Sequence, residues 1–292
     1  MRRQLLTEVA ILSVIVIWAA HYSIAKMGVS EFSPVVFTLL RFAGVTPLLL
    51  GWTWYTEGSV MISGRDWFQL VLVGFFGVAL YQTCYIAAAK YTSAANASLL
   101  IALSPLFTCL LGALTGSERH TSTSLLGSVM AFSGVTLVIW SGNRGLGFSE
   151  ETWRGDLIAL AAGLLWGLYP LLTQPLLRRY SPLRVMAASS LVGSTFLLGF
   201  GWKRLQALQF QLVSMTAWWC LLYAIVLATA YALVIWYSAI ERLGANRVMV
   251  HMYLVPALAM AISARYLNEI IRPSQVWGMA VILGGIALAR KK

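Results

Sequence analysis

The sequence predicts an all-α integral membrane protein with ten transmembrane helices, built as two inverted five-helix repeats. Three observations carry this. Of 292 residues, 59% are hydrophobic and 11% charged, whereas a soluble domain carries about 25% charged residues. A water-soluble fold would have too little polar surface. The apolar residues fall in continuous runs near the ~20 residues a helix needs to cross a bilayer. The chain also repeats itself. Trp18-Ala-Ala-His21-Tyr22 followed by Ser33-Pro34 returns 148 residues later as Trp166-Gly-Leu-Tyr169-Pro170 followed by Ser181-Pro182. Self-similarity at a fixed offset marks a duplicated architecture.

The ten spans are expected at 8–28, 34–54, 67–88, 94–114, 122–140, 155–177, 183–202, 216–238, 246–265 and 274–290. Runs this long are helices, since membrane barrel strands alternate over about 10 residues. The first run, from Val9 to Ala25, is too long for a signal-peptide core. Its Trp18 has a repeat partner, so the run is expected to belong to the fold. Connections are short, some only five residues. The longest, Ser141–Arg154, is rich in Gly, Asn and Ser and reads as the linker between halves. The chain then divides into a first repeat at 1–141, a linker at 142–154 and a second repeat at 155–292. After the seventh span, Leu205, Leu208 and Leu212 share a helical face, which predicts an interfacial segment over 203–215.

The repeat runs on through the later spans. Tyr81 pairs with Tyr231 and Asn96 with Asn246 at an offset of 150. Pro105 pairs with Pro256, Glu118 with Glu269, Gly127 with Gly278 and Gly134 with Gly285 at 151. Short loop insertions account for the drift. Five helices per half is an odd number, so the second half enters the membrane in the opposite sense. Secondary transporters that alternate between two faces share this arrangement. Lys and Arg number twelve on the side of both termini and eight on the other, with Arg41 inside a span. That bias puts both termini in the cytoplasm.

A net charge of +11 would suit nucleic acid. Here the Lys and Arg sit at the ends of apolar runs, where they anchor helices against headgroups. No nucleic-acid partner is expected; the partners are the lipid bilayer and a small-molecule substrate. The two repeats already form a complete pathway, so a monomer suffices. Cys84, Cys109 and Cys220 lie within apolar runs, and no spacing suits a metal. There is no Walker loop, dinucleotide fingerprint or HExxH. Neither a cofactor nor enzymatic activity is expected.

Ionisable side chains inside a span are costly unless they face protein or water, so each is a functional candidate. Arg41 lies about 10 Å into the second span at ~1.5 Å per residue. It either snorkels to the nearer surface or holds a fixed positive charge towards a cavity, suited to a substrate carboxylate. His21 and Tyr22 follow Trp18 at i+3 and i+4, on one helix face. His251 lies in the ninth span beside Tyr253. Each His either carries a proton or is neutral and bonded to a neighbouring helix. Tyr81 and Tyr85 share a face, with Gln82 adding a polar group beside them. With Trp166, Tyr169 and Tyr231 they form an aromatic set that lines a pocket or simply packs. Pro105, after Ser104, and Pro256 are matched prolines that free backbone carbonyls and kink helices. They fit a pathway between the halves, or shape complementarity alone. No obvious acidic group lies within the spans, which weighs against a cationic substrate.

The run from Lys90-Tyr-Thr-Ser-Ala-Ala-Asn96 through Ser104-Pro105 to Gly112, then Glu118, Gly127 and Gly134-Val-Thr-Leu, resembles the EamA-type repeat of the drug/metabolite transporter superfamily. The second copy runs through Leu243-Gly-Ala-Asn246, Pro256, Glu269, Gly278 and Gly284-Gly285. The resemblance covers nearly the whole chain. It implies a transporter of the cytoplasmic (inner) membrane with both termini cytoplasmic. It also implies that helices 1–4 and 6–9 surround a central cavity, with 5 and 10 peripheral. On that pattern Trp18, Arg41, Tyr81, Tyr85, Ser104, Trp166 and Tyr231 face the cavity, and Glu118 and Glu269 are structural or gating. The chain most resembles amino-acid and metabolite exporters, which implies export of small metabolites, amino acids first, by alternating access. Drugs and neutral metabolites such as nucleobases or sugars are the alternative cargoes. A membrane enzyme or assembly subunit without transport is the alternative class. Arg41 aligns near Ser189 and His21 with Tyr169, so the cavity is expected to be asymmetric and suited to a polar or zwitterionic solute.

Overall fold

A computed structural model describes residues 2–104, 106–108, 111, 126–127, 129–131, 133–134, 137, 152–243 and 250–289. Its elements are helices throughout, among the described residues. They are α1 (Arg2–Gly28), α2 (Pro34–Glu57), α3 (Gly64–Tyr91), α4 (Ala94–Ile101), α5 (Thr152–Leu177) and α6 (Pro182–Gln206). Then follow α7 (Met215–Tyr223, Ala224–Tyr231 and Ala232–Leu243 end to end), α8 (Leu254–Tyr266) and α9 (Pro273–Ala289). Six of these, α1–α3 and α5–α7, are long and apolar enough to cross a membrane. Of the other expected spans, 122–140 lies largely outside the described residues, as does the start of the ninth at 246–249.

The Ser-Pro pairs start helices. Ser33 caps α2 by accepting from the Val36 amide, and Ser181 caps α6 by accepting from the Arg184 amide at 3.1 Å. Pro34 and Pro182 follow in the first turn, where no amide hydrogen is needed. Ser93 and Ser214 cap α4 and α7 in the same way.

α3 and α7 share a feature that hydropathy does not reveal. Each contains a π-helical stretch, Val73–Leu80 in α3 and Ala224–Tyr231 in α7. In the repeat these stretches are equivalent, each beginning about a third of the way along the third helix of its half.

Contacts between the halves pair residues with their repeat equivalents. The Thr46 and Ser194 hydroxyls, 148 residues apart, meet at 3.1 Å. A Cβ on Gly134 would lie 2.8 Å from the Ile282 amide nitrogen and 2.9 Å from the Gly278 carbonyl. A Cβ on Gly285 would lie 2.5 Å from the Ala131 amide nitrogen and 2.7 Å from the Gly127 carbonyl. The second contact is the first with the halves exchanged, as a twofold relation requires. Elsewhere α2 packs along α6, and α3 along α5.

The expected interfacial segment is not an independent helix. α6 continues through Gln206, and only a single 3-10 turn follows at Phe210–Leu212. Leu205 and Leu208 pack against the main core whereas Leu212 is exposed. The core draws the first two inward, so the three do not share a face.

Polar contacts tie the loops at both ends of the bundle. At one end Lys26 pairs with Glu269 at 2.6 Å, and Glu269 also accepts from the Ala94 and Ala95 amides at the start of α4. Glu31 accepts from the Ser214 hydroxyl and amide at 2.5 and 2.6 Å, joining the α1–α2 loop to α7. At the other end Arg179 pairs with Asp66 at 2.7 Å and Arg184 with Glu57 at 3.0 Å. The Tyr180 hydroxyl donates to Asp66, and the Ser181 hydroxyl donates to Glu57.

Two outcomes follow. Gly134→Ala and Gly285→Ala should each lower the melting temperature in detergent, at a cost of about 1–3 kcal/mol for overpacking. Unchanged melting of both variants would contradict the close approach. The Ser214 hydroxyl, then its amide, hold the Glu31 carboxyl below its ordinary value of 4.5. A carboxylate favoured by folding stabilises the protein above that value, and the contribution is lost as pH falls through the lowered folded value. Glu31→Gln should therefore melt slightly below the wild type at pH 7, and the difference should narrow as pH falls below 4.5. A difference that does not narrow would rule out this origin.

Candidate functional site

α1 places Trp18, His21 and Tyr22 on one face, as the i, i+3, i+4 spacing requires. α2 adds Arg41, α3 adds Tyr81, Gln82 and Tyr85, and α5 adds Trp166. These side chains surround one cavity, closed by Ile101 of α4, Ala228 and Leu233 of α7, Met252 and Val255. Its free space is about 520 Å³ with the open mouth included. Tyr169 lines an adjoining space with Met186, Ser189 and Ser190, and Gln82 and Trp166 border both.

Arg41 is 4% exposed, so it does not snorkel. Its Nε donates to the Thr229 hydroxyl at 2.6 Å, and its terminal nitrogen donates to Gln82 Oε1 at 3.1 Å. One partner lies within a π-helical stretch and the other just beyond one. Thr229 lies inside the second and donates its own hydroxyl to the Ala224 carbonyl five residues back, at 2.6 Å. Gln82 follows directly after the end of the first and Tyr81. Local π-helical turns recur at functional sites because they redirect side chains. Among the described residues, no acidic side chain forms an ion pair with Arg41. A buried cation without a counter-charge is destabilising by several kcal/mol.

The aromatic side chains form a continuous train across both halves. Tyr169 stacks on Trp166 at 5.5 Å between ring centres, and Trp166 on Tyr81 at 4.9 Å. Tyr81 approaches Tyr85, which meets Tyr22 edge-on and His21 in a stack. Tyr223 ends the train, stacked on His21 at 6.2 Å between ring centres. Trp18 packs against Trp236 and donates its indole N–H to the Ala228 carbonyl at 3.0 Å. His21 Nδ1 lies 3.0 Å from the Tyr85 hydroxyl.

Other expected residues lie elsewhere. Ser104 is buried but lies against Gly167 of α5, outside the cavity lining. Tyr231 is 41% exposed, and its hydroxyl meets Ser13 on the outer surface. The reason is register: Tyr81 is the first residue after the π-helical stretch of its half, whereas Tyr231 is the last residue within the other. One position of helix turns a side chain by about 100°. His251 sits on a 3-10 turn and its Nε2 lies 3.0 Å from Glu8; the next residue, Met252, reaches the cavity instead. Pro256 is the third residue of α8, which follows directly on the 3-10 turn Val250–Tyr253. Pro105, Glu118, Asn246 and the Tyr253 side chain lie outside the described residues.

Two polar residues escaped the sequence reading. Thr229 was hidden among apolar neighbours. Asp156 is an acid within α5, and it is 2% exposed. It accepts from the Thr92 hydroxyl at 2.5 Å and from Asn96 Nδ2 at 3.3 Å, and Gln275 Nε2 donates to Asn96 Oδ1. The expectation of spans without an acid is thereby corrected, although Asp156 does not line the cavity. Its position 148 residues after Glu8, near the start of the other half, was the available signal. Among the described residues, no cluster of His, Cys, Asp and Glu could hold a metal ion.

The chain is similar to named proteins along its length. An uncharacterized transporter of Archaeoglobus fulgidus is 31% identical over 265 residues, covering 90% of each chain. A probable terminal-alkyne amino-acid exporter of Streptantibioticus cattleyicolor is 28% identical, covering 97% of this chain and 93% of that one. A probable amino-acid metabolite efflux pump of Salmonella typhimurium is 25% identical, covering 94% and 91%. A solved crystal structure superposes with a TM-score of 0.68 at 20% identity, covering 97% of this chain and 95% of that one, a likeness of fold alone. The profile of the EamA-like transporter family matches twice, at residues 5–140 and 153–290. With two copies of that domain along one helical chain, the protein belongs to the EamA-like transporter family, within the drug/metabolite transporter superfamily.

Proposed function

We propose that this transporter carries small carboxylate-bearing metabolites, amino acids first, out of the cell across the cytoplasmic membrane. The observation that carries the reading is Arg41. It is buried, it is bonded to the neutral Thr229 and Gln82, and it borders an aromatic cavity. A carboxylate at this position would supply the missing counter-charge through charge-assisted hydrogen bonds. The aromatic rings would take the apolar part of the solute. Relatives named as an amino-acid exporter and an amino-acid metabolite efflux pump support the cargo class and the direction.

The mechanism proposed is alternating access of two inverted five-helix repeats, 1–141 and 155–292, joined by the linker 142–154. The exchanged contacts at Gly134 and Gly285 support a twofold relation between them. The Lys and Arg bias supports a cytoplasmic location for both termini. The polar ties at opposite ends of the bundle would then break in turn, one set for each opening. Pro105, Pro256, Glu118 and Glu269 are the candidates for shaping that motion, and Glu269 joins Lys26 to the start of α4.

Arg41→Met tests the assignment. In proteoliposomes its counterflow of labelled L-amino acids should fall at least ~10-fold, the loss expected for one charge-assisted contact of about 1.5–3 kcal/mol. Its melting temperature should stay near that of the wild type or rise, because no ion pair is broken and a buried charge is removed. Undiminished transport by Arg41→Met would sink the assignment.

A further inference from the structure

The site holds a second unfulfilled group. His21 is 2% exposed and lines the cavity, and its Nε2 has no hydrogen-bond partner. Among the described residues, Ser23 Oγ is the other buried side-chain atom in this condition, and Ser23 does not line the cavity. Buried polar atoms in folded proteins are nearly always partnered, so an orphan on a cavity-lining residue fits a partner that arrives with a ligand. The imidazole cannot swing away to find another. The Tyr85 hydroxyl holds Nδ1 at 3.0 Å, and the rings of Tyr85 and Tyr223 stack on it. His21 and Arg41 line the same cavity.

We propose that His21 reads the substituent next to the substrate carboxylate: Nε2 accepts a hydrogen bond from an N–H or O–H on the α-carbon. The inference rests on the reading that Arg41 holds that carboxylate. For Nε2 to accept, Nδ1 carries the imidazole proton and donates it to the Tyr85 oxygen. Arg41 and His21 together then define a two-point site for α-amino or α-hydroxy acids, and a carboxylate without the α-substituent leaves Nε2 unpaired. Two donors fit. Among the described residues, no acidic side chain lines the cavity, so an ammonium would rest against aromatic faces such as Trp18 and Tyr22. A hydroxyl needs no such support and leaves the cavity neutral once the carboxylate meets Arg41.

The test uses the full-length protein in proteoliposomes. Two matched series compete for counterflow: L-phenylalanine, 3-phenyllactate and 3-phenylpropionate, and L-leucine, 2-hydroxy-4-methylpentanoate and 4-methylpentanoate. The wild type should favour the α-amino or the α-hydroxy acid over the unsubstituted acid by ~10-fold or more, since a site built for a hydrogen bond rejects a ligand that lacks it. Whichever of the two binds better identifies the donor. In His21→Leu that ratio should collapse towards one, and in His21→Gln, whose side-chain oxygen can accept, it should recover in part. Melting temperatures separate misfolding from lost discrimination. If the wild type takes all three acids of a series equally, or if His21→Leu keeps the wild-type ratio, the role of His21 is overturned while the Arg41 reading stands. If no carboxylate competes at all, the Arg41 reading itself fails, and this inference with it.

Discussion

The structure turns on one guanidinium. Arg41 lies buried between α2, α3 and α7, with hydrogen bonds to Gln82 and Thr229 and no acidic partner among the described residues. A positive charge in that position is tolerated only if its surroundings hold it firmly and water or solute reaches it. The two π-helical stretches accomplish the holding. Thr229 is turned towards Arg41 by a stretch in which its own hydroxyl closes a five-residue loop onto Ala224. Gln82 emerges just beyond the matching stretch in α3. The helices on either side of Arg41 are thus bent out of regular register at the point where a polar group is needed.

Much of this was legible in the sequence. The membrane class follows from composition, and the duplication follows from the Trp and Ser-Pro echoes, which the structure uses as core aromatics and helix starts. The depth of Arg41 and the shared face of Trp18, His21 and Tyr22 follow from helical spacing. What was not legible depends on register. The π-helical stretches leave no trace in hydropathy, because every residue in them is apolar or small except Thr229 and Tyr231. Pairing Tyr81 with Tyr231 at offset 150 assumed regular helices. The π-helical stretches themselves match at offset 151, which makes buried Ala232 the structural counterpart of Tyr81 and leaves Tyr231 on the surface. Asp156 was missed for a different reason. Its burial depends on Thr92 and Asn96, which approach only when α3, α4 and α5 pack.

Symmetry of the frame and asymmetry of the site have separate physical origins. The frame is set by close backbone approach and small side chains, and the same small residues serve both halves, as at Gly134 and Gly285. The ends are already less symmetric. One is tied by two Arg–carboxylate pairs in adjoining loops, the other by Lys26 with Glu269 and by Glu31 with a neutral serine. Exposed ion pairs contribute little individually, typically below about 1 kcal/mol; of the members of these three pairs only Arg179 is exposed, and the others are half-buried.

The cavity carries the asymmetry to its conclusion. Its cation and its orphan imidazole both come from the first half, and at the matching positions the second half carries Ser189 and Tyr169. Those two line the adjoining space, with Trp166 as the shared wall. Had both halves kept a charge, two guanidiniums would repel across one low-dielectric cavity. Replacing one with serine and the other histidine with tyrosine leaves one polar pole and one aromatic pole on either side of the twofold relation. On the proposed reading of Arg41 and His21, a solute held between the poles would have two unlike ends, a charged head towards those two and an apolar body towards Trp166 and Tyr169.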